Sequence, residues 1–278
     1  MRWREQREST NIEDRRGLSG RNIAIGGGGL GTLLIIILAL LCGKDPMSLL
    51  QQVQNEPGTQ TQNAPQQSDD TGHFVASVLG STEDAWGSIF QRNNAKYRAP
   101  TLVLYSDAVR SACGISSSST GPFYCPGDEK LYLDTNFFRE LKTEFKAPGD
   151  FAEAYVIAHE VGHHVQNLLG TMKSVNQMQA RGGQTKANRY SVRLELQADC
   201  YAGIWAKYAQ GRGLVETGDV EEALRAAAAV GDDQIQRRSQ GYVVPESFTH
   251  GSARERMDWF AQGFKSGDLR QCNTFSSK

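Results

Sequence analysis

Apolar positions crowd a few stretches of the chain and thin out between them. Phe151, Ala154, Val156, Ile157, Ala158, Val161, Val165 and Leu168 are dense enough to predict a buried helix over 151–169, with Asp150 as N-cap and Gly170 ending it. A second helix is expected over 190–205, where Leu194, Ala198 and Trp205 argue against a freely solvated rod. Ser81 or Thr82 should cap a helix running through Ala85, Trp86, Ile89 and Phe90, and an amphipathic helix should carry Met257, Trp259 and Phe260. Between Pro100 and Phe138 the pattern turns extended. Strands are expected at 101–106, 121–125 and 130–134, separated by Ser/Gly and Pro-Gly-Asp turns. The fold class expected is α+β, a mainly helical domain with a small β-sheet, preceded by one transmembrane helix.

That last element rests on 23–43, which carries no charge and is nearly solid Leu and Ile over 30–42. About twenty residues of this kind suffice to cross a bilayer. Arg2, Arg4, Arg7, Arg15, Arg16 and Arg21 precede the span and only Lys44 follows it before Arg92, so the positive-inside rule expects a cytosolic amino terminus. The chain then divides into a cytosolic Arg-rich head over 1–22, a signal anchor over 23–43, a flexible Gln/Asn/Pro/Thr/Ser linker over 44–74 and a folded domain over 75–278 outside the cytoplasm. A cleaved signal peptide fits less well, since no small-x-small site follows the apolar run. A formal charge of −1, with no basic stripe and no zinc-finger spacing, gives no nucleic-acid reading.

The chemistry concentrates in the first helix, where His159-Glu160-Val161-Gly162-His163 forms an HExxH motif. Residues four apart share a helix face, so both imidazoles can grip one Zn²⁺ while Glu160 reaches a water beside it as general base. A catalytic zinc needs a third protein ligand. The metzincin continuation is absent, because Gln166 and Leu169 stand where Gly and His would be. Glu195 and Asp199, four apart on the second helix, are the better candidates: Glu195 as third ligand and Asp199 as acceptor for the far ring N–H of a zinc histidine. The alternative is an ordinary acidic pair on a solvated face. His250, in Thr249-His250-Gly251 ahead of Arg256, has three open roles: a donor to the oxyanion, a fourth ligand that plugs the resting site, or a helix cap before Ala253. His164 should make a structural hydrogen bond, and His73 should be a capping or surface residue. Leu131, Tyr132, Leu133 and Asp134 are the candidate edge strand for an extended substrate, with an internal strand equally open.

The segments HEVGHH at 159–164, ELQADC at 195–200 and FTHGSARERMDWF at 248–260 resemble the bacterial family of membrane-anchored neutral zinc metallopeptidases. The amino-terminal MRWREQREST and NIEDRR pattern and the SACG, GPFYCP and LYLD segments extend the likeness to nearly the whole chain outside the linker. The ExxxD arrangement and the THG…R motif that ends on Arg256 are also similar to gluzincins related to the CAAX-processing type peptidases, in which a Glu at the ExxxD position ligates zinc. The resemblance implies a zincin-like domain, Zn²⁺ as cofactor and a protein or peptide substrate; the apolar span and the arginine bias imply a lipid bilayer as partner and a periplasmic location on the bacterial inner membrane. Cysteine usage fits an exported domain: Cys113 and Cys125 should close a local loop, and Cys200 either pairs with Cys272 or stays a buried thiol. The function expected is hydrolysis of peptide bonds by zinc-activated water. A proteolytically silent zinc-binding envelope scaffold, or a zinc hydrolase of a non-peptide substrate, is the alternative.

Overall fold

The computed structural model describes residues 1–17, 69–117 and 120–276. Residues 1–17 and 70–278 make up one compact unit. Strand β1 (Ile12–Asp14) comes first, then helix α1 (Asp70–Arg92), strands β2 (Thr101–Tyr105), β3 (Ala108–Ser111), β4 (Gly114–Ser117), β5 (Phe123–Cys125) and β6 (Lys130–Asp134). Helices then dominate: α2 (Asn136–Thr143), α3 (Asp150–Leu168), α4 (Thr171–Ala180), α5 (Gln184–Gly211), α6 (Asp219–Ala229), α7 (Asp232–Gln240) and α8 (Ala253–Ser266).

The main sheet has the order β1-β2-β6-β5, parallel from β1 through β6, with β5 antiparallel at the end. Its inward side chains Leu102, Leu104, Leu131 and Leu133 join Phe151, Tyr155, Trp86 and Trp205 in one buried core, as the apolar runs predict. Helix α3 is buried on most of its faces, packed by α5, α6, α1 and β5. It starts one residue before the sequence suggests, with Gly149 in the cap position and Asp150 already helical; Gly170, at φ 77°, follows its C-cap Leu169. α8 crosses α5 closely enough that a Cβ on Gly263 would lie 1.9 Å from the Cys200 carbonyl oxygen. The Cys200–Cys272 disulfide ties the carboxyl-terminal turn to α5, and Cys113–Cys125 ties the β3–β4 hairpin to β5.

Three expectations need correction. Ser81 and Thr82 do not cap a helix: α1 begins at Asp70 and carries both as buried interior positions, Ser81 accepting from Trp205 Nε1 and Thr82 donating to the Leu79 carbonyl. The small residues there serve another purpose, since a Cβ at Gly80 would sit 2.3 Å from the Arg7 carbonyl oxygen. The amino-terminal segment lies against that groove, and Ser9 donates its backbone N–H to Ala76.

The second correction follows directly. Residues 1–17 are not a separate head: β1 pairs with β2, Trp3 packs edge-on against Phe74, and the Met1 amino group lies 2.7 Å from Asp150 at the start of α3. A head in the cytosol and a domain outside it would lie on opposite faces of a bilayer, which one sheet and one core cannot do. The single-pass topology and the periplasmic location drawn from the arginine bias therefore fall. The third concerns the anchor itself. Among the described residues no helix is long and apolar enough to cross a membrane, so a transmembrane element and a bilayer partner have no support there, and the 23–43 stretch lies outside the described residues.

Candidate metal centre

Helix periodicity sets His159 and His163 on one face of α3, their ring centroids 4.8 Å apart, and α5 brings Glu195 against both. Glu195 Oε2 lies 3.1 Å from His159 Nε2 and Oε1 lies 3.4 Å from His163 Nε2. Zinc bonds of about 2.0–2.1 Å in tetrahedral array would separate neighbouring ligand atoms by about 3.3 Å. The donor set fits the ion on spacing. The two rings also fit on tautomer, because each Nδ1 already has a partner: Asp199 Oδ1 at 2.8 Å for His159 and Gln166 Oε1 at 2.9 Å for His163. Nδ1–H donated to these oxygens leaves both Nε2 lone pairs facing the point where Glu195 arrives.

Electrostatics agree. Burial opposes protonation of His159, yet Asp199 and Glu195 outweigh it and lift its pKa to about 10. Burial would raise Glu195, but His163 and His159 hold it well below the usual carboxylate range. Two carboxylates thus impose on the rings a negative field that a dication would share. Asp199 is itself fully buried and held at about 2: desolvation opposes its charge, and Arg256 and His159 more than compensate. Its Oδ1 accepts from Tyr155 Oη and Arg256 Nη2, and its Oδ2 from Arg256 Nε at 2.8 Å.

The site opens into a cleft of about 620 Å³ that Glu160 and His250 both line. Helix α8 is capped by Ser252, which accepts from Glu255 N–H in a capping box, so His250 is not the cap. Its backbone N–H and those of Thr249 and Gly251 all donate to Asp232 Oδ2, and its Nδ1 lies 3.3 Å from Asp232 Oδ1. That carboxylate raises the His250 pKa against partial burial. Apolar walls come from Phe123, Phe137, Phe145, Val156, Met172, Leu194 and Ile235.

Leu131 to Asp134 do not form the edge. β6 is flanked by β2 and β5, with its inward residues in the core and Asp134 fully buried, and the strand beside the cleft is β5, contributing Phe123 and Tyr124. His164 makes structural hydrogen bonds, its Nε2–H donating to the Arg98 carbonyl at 2.6 Å and its Nδ1 accepting from Tyr124 Oη, while His73 is exposed beside Glu8. Tyr155, Gln166 and Asp232 carry no sequence signal of their own, whereas Arg256 stands in the THG…R motif without a role read from it. Tyr155 lies four residues before His159, so helix periodicity offered the one available hint.

Two histidines one turn apart, a glutamate from a second helix and a further glutamate beside the first histidine define a metal centre of the HExxH class. The chain belongs to the family described as "Putative neutral zinc metallopeptidase", which it matches over residues 1–275, and its cofactor is Zn²⁺. It is 47% identical to the Escherichia coli K12 protein named "Uncharacterized protein YpfJ", over 99% of each chain. It is 43% identical to the Mycobacterium bovis "Uncharacterized protein Mb2605" and to the Mycobacterium tuberculosis H37Rv "Uncharacterized protein Rv2575", over 86% of this chain and 85% of each relative. No solved structure gives a significant match.

Proposed function

We propose that the protein is a zinc-dependent peptidase acting on protein or peptide substrates, with His159, His163 and Glu195 as ligands. The observation that carries this reading is the convergence of three metal-type donors within 4.8 Å of one another, in the cleft that Glu160 lines. Bound there, zinc supplies a Lewis acid that acidifies water and polarises a carbonyl. Glu160 takes the proton of the attacking water and returns it to the leaving amine. His250, whose pKa Asp232 raises, acts as the imidazolium: Nδ1–H faces Asp232 and Nε2–H is left to donate to the oxyanion, which is the role we assign it over a resting-state plug. Among the described residues strand β5 ends the sheet, so its outer edge is available to an extended peptide, and the apolar walls favour a large apolar side chain next to the scissile bond.

The test is a comparison of zinc-loaded wild type and Glu160→Gln on a peptide library, with new ends mapped by mass spectrometry. Wild type should cut beside large apolar residues, and the variant should bind zinc without cutting. Identical profiles from both proteins would remove the peptidase reading and leave a zinc-binding scaffold.

A further inference from the structure

We infer that Arg256 is a positioning residue for the metal centre, acting on His159 through Asp199 and on the His250 arm through the Val230 carbonyl. The inference rests on the zinc reading of His159, His163 and Glu195. Arg256 lies on α8, outside the HExxH and ExxxD segments, and is only 4% exposed. A buried guanidinium is retained only where its donors are matched, and here they fan out to three elements. Nε and Nη2 grip the two oxygens of Asp199 at 2.8 and 3.0 Å, Nη2 reaches Tyr155 Oη at 3.2 Å on α3, and Nη1 reaches the Val230 carbonyl at 3.3 Å.

The direction of these contacts separates positioning from plain packing. Asp199 Oδ1 serves His159 and Tyr155, whereas Oδ2 has Arg256 Nε as its side-chain donor. Without the fork the carboxylate could turn about its own bond and carry the acceptor away from His159 Nδ1. The ring would then lose the partner that fixes its tautomer and points Nε2 at the metal. A planar, bidentate donor prevents that rotation; a lysine ammonium supplies the charge from one point and does not. The other end of the guanidinium works on the cleft. Val230 immediately precedes Gly231 and Asp232, and Asp232 holds the backbone of Thr249, His250 and Gly251. One side chain therefore keeps the ligand face of α3 and the His250 arm in register.

The experiment is a double-mutant cycle on zinc affinity, read by competition with a chromogenic chelator, with Arg256→Lys measured in wild-type and Asp199→Asn backgrounds. Outer-sphere changes typically weaken metal binding by about 10- to 100-fold, and Arg256→Lys should do so in the wild-type background. In Asp199→Asn the same substitution should change affinity by less than about 3-fold, because the carboxylate it orients is gone. Tyr155→Phe, which removes one hydroxyl from the same network, replaces Arg256→Lys in the cycle should the lysine variant fail to fold, with the same expected non-additivity. Unchanged zinc affinity in the folded Arg256→Lys protein, or an equal loss in both backgrounds, would overturn the inference and leave Arg256 as a structural ion pair. Wild-type protein that takes up no zinc overturns the metal reading itself, a result visible before any variant is made.

Discussion

Asp232→Asn tests how far the cleft chemistry depends on a carboxylate that carries no motif. Asp232 Oδ2 accepts three backbone N–H groups, from Thr249 at 2.7 Å, His250 at 2.6 Å and Gly251 at 3.0 Å, and Oδ1 faces His250 Nδ1. Asn keeps the shape and one acceptor oxygen but loses the charge. Hydrogen bonds to charged groups contribute about 1.5–3 kcal/mol against about 1 for neutral ones, so three weakened bonds should cost about 2–3 kcal/mol of stability. The kinetic cost is bounded by that of His250→Ala, about 2–4 kcal/mol for a whole oxyanion donor, and Asp232→Asn should lower kcat/KM by about 10- to 100-fold. The pH dependence has a definite sign. Asp232 raises the His250 pKa, so the pair stabilises the fold fully below the unfolded histidine value of about 6.5 and loses that contribution as pH rises through the folded value. Asp232 itself is lowered, since the donors from His250 and the backbone outweigh desolvation, and its share persists until pH falls through that depressed value. The alkaline limb of kcat/KM should therefore move to lower pH in Asp232→Asn. Steady-state kinetics from pH 5 to 10 on peptides cut by wild type, with denaturant midpoints measured in parallel, decide the matter. An unshifted alkaline limb with unchanged kcat/KM would refute the role given to the His250–Asp232 pair.

Gly263→Ala should destabilise by about 3 kcal/mol or more, since its Cβ would meet the Cys200 carbonyl at 1.9 Å, whereas Gly87→Ala in α1, with nothing within 4 Å, should stabilise by about 0.5–1 kcal/mol. Thermal melts of the two variants should move in opposite directions. Gln166→Met should weaken zinc binding by about 10-fold through the loss of the acceptor at His163 Nδ1, a change readable by chelator competition; equal affinity would make Gln166 a packing residue. Trp3→Ala should cost about 3 kcal/mol in chemical denaturation, because the ring is 9% exposed and stands 5.5 Å from Phe74; an unchanged midpoint would mean the amino-terminal segment adds nothing to the core.

The clustering of His159, His163 and Glu195 is legible because helix periodicity converts spacing into a shared face: His159 and His163 on one helix, Glu195 and Asp199 on another. The groups that finish the site were not legible, for the converse reason. Arg256 and Asp232 reach it only through the packing of α8 and the α6–α7 turn onto α5 and α3; Asp232 has no local pattern to mark it, and the THG…R motif marks Arg256 without showing which carboxylate it meets. The sequence leaves 130–134 open between an edge and an internal strand because alternation and apolar content reveal a strand without revealing its neighbours. β6 gains one on each side once the distant segment 101–105 pairs with it.

The amino-terminal error has a different origin. Six arginines ahead of an apolar run satisfy the positive-inside rule, which reads flanking charge and nothing else. In the folded unit several of those arginines have other work: Arg7 bridges Glu83 and Asp84 on α1, Arg4 reaches Asp70, and Arg15 pairs with Glu13. Each partner lies within the same compact unit, so these positive charges are paired at its surface. The segment also brings Ile12 into register with Leu102 and fits its backbone against Gly80. A topology rule presumes that the flanking segment lies free beside the membrane, whereas the segment bearing Arg4, Arg7 and Arg15 belongs to the same compact unit as residues 70–278.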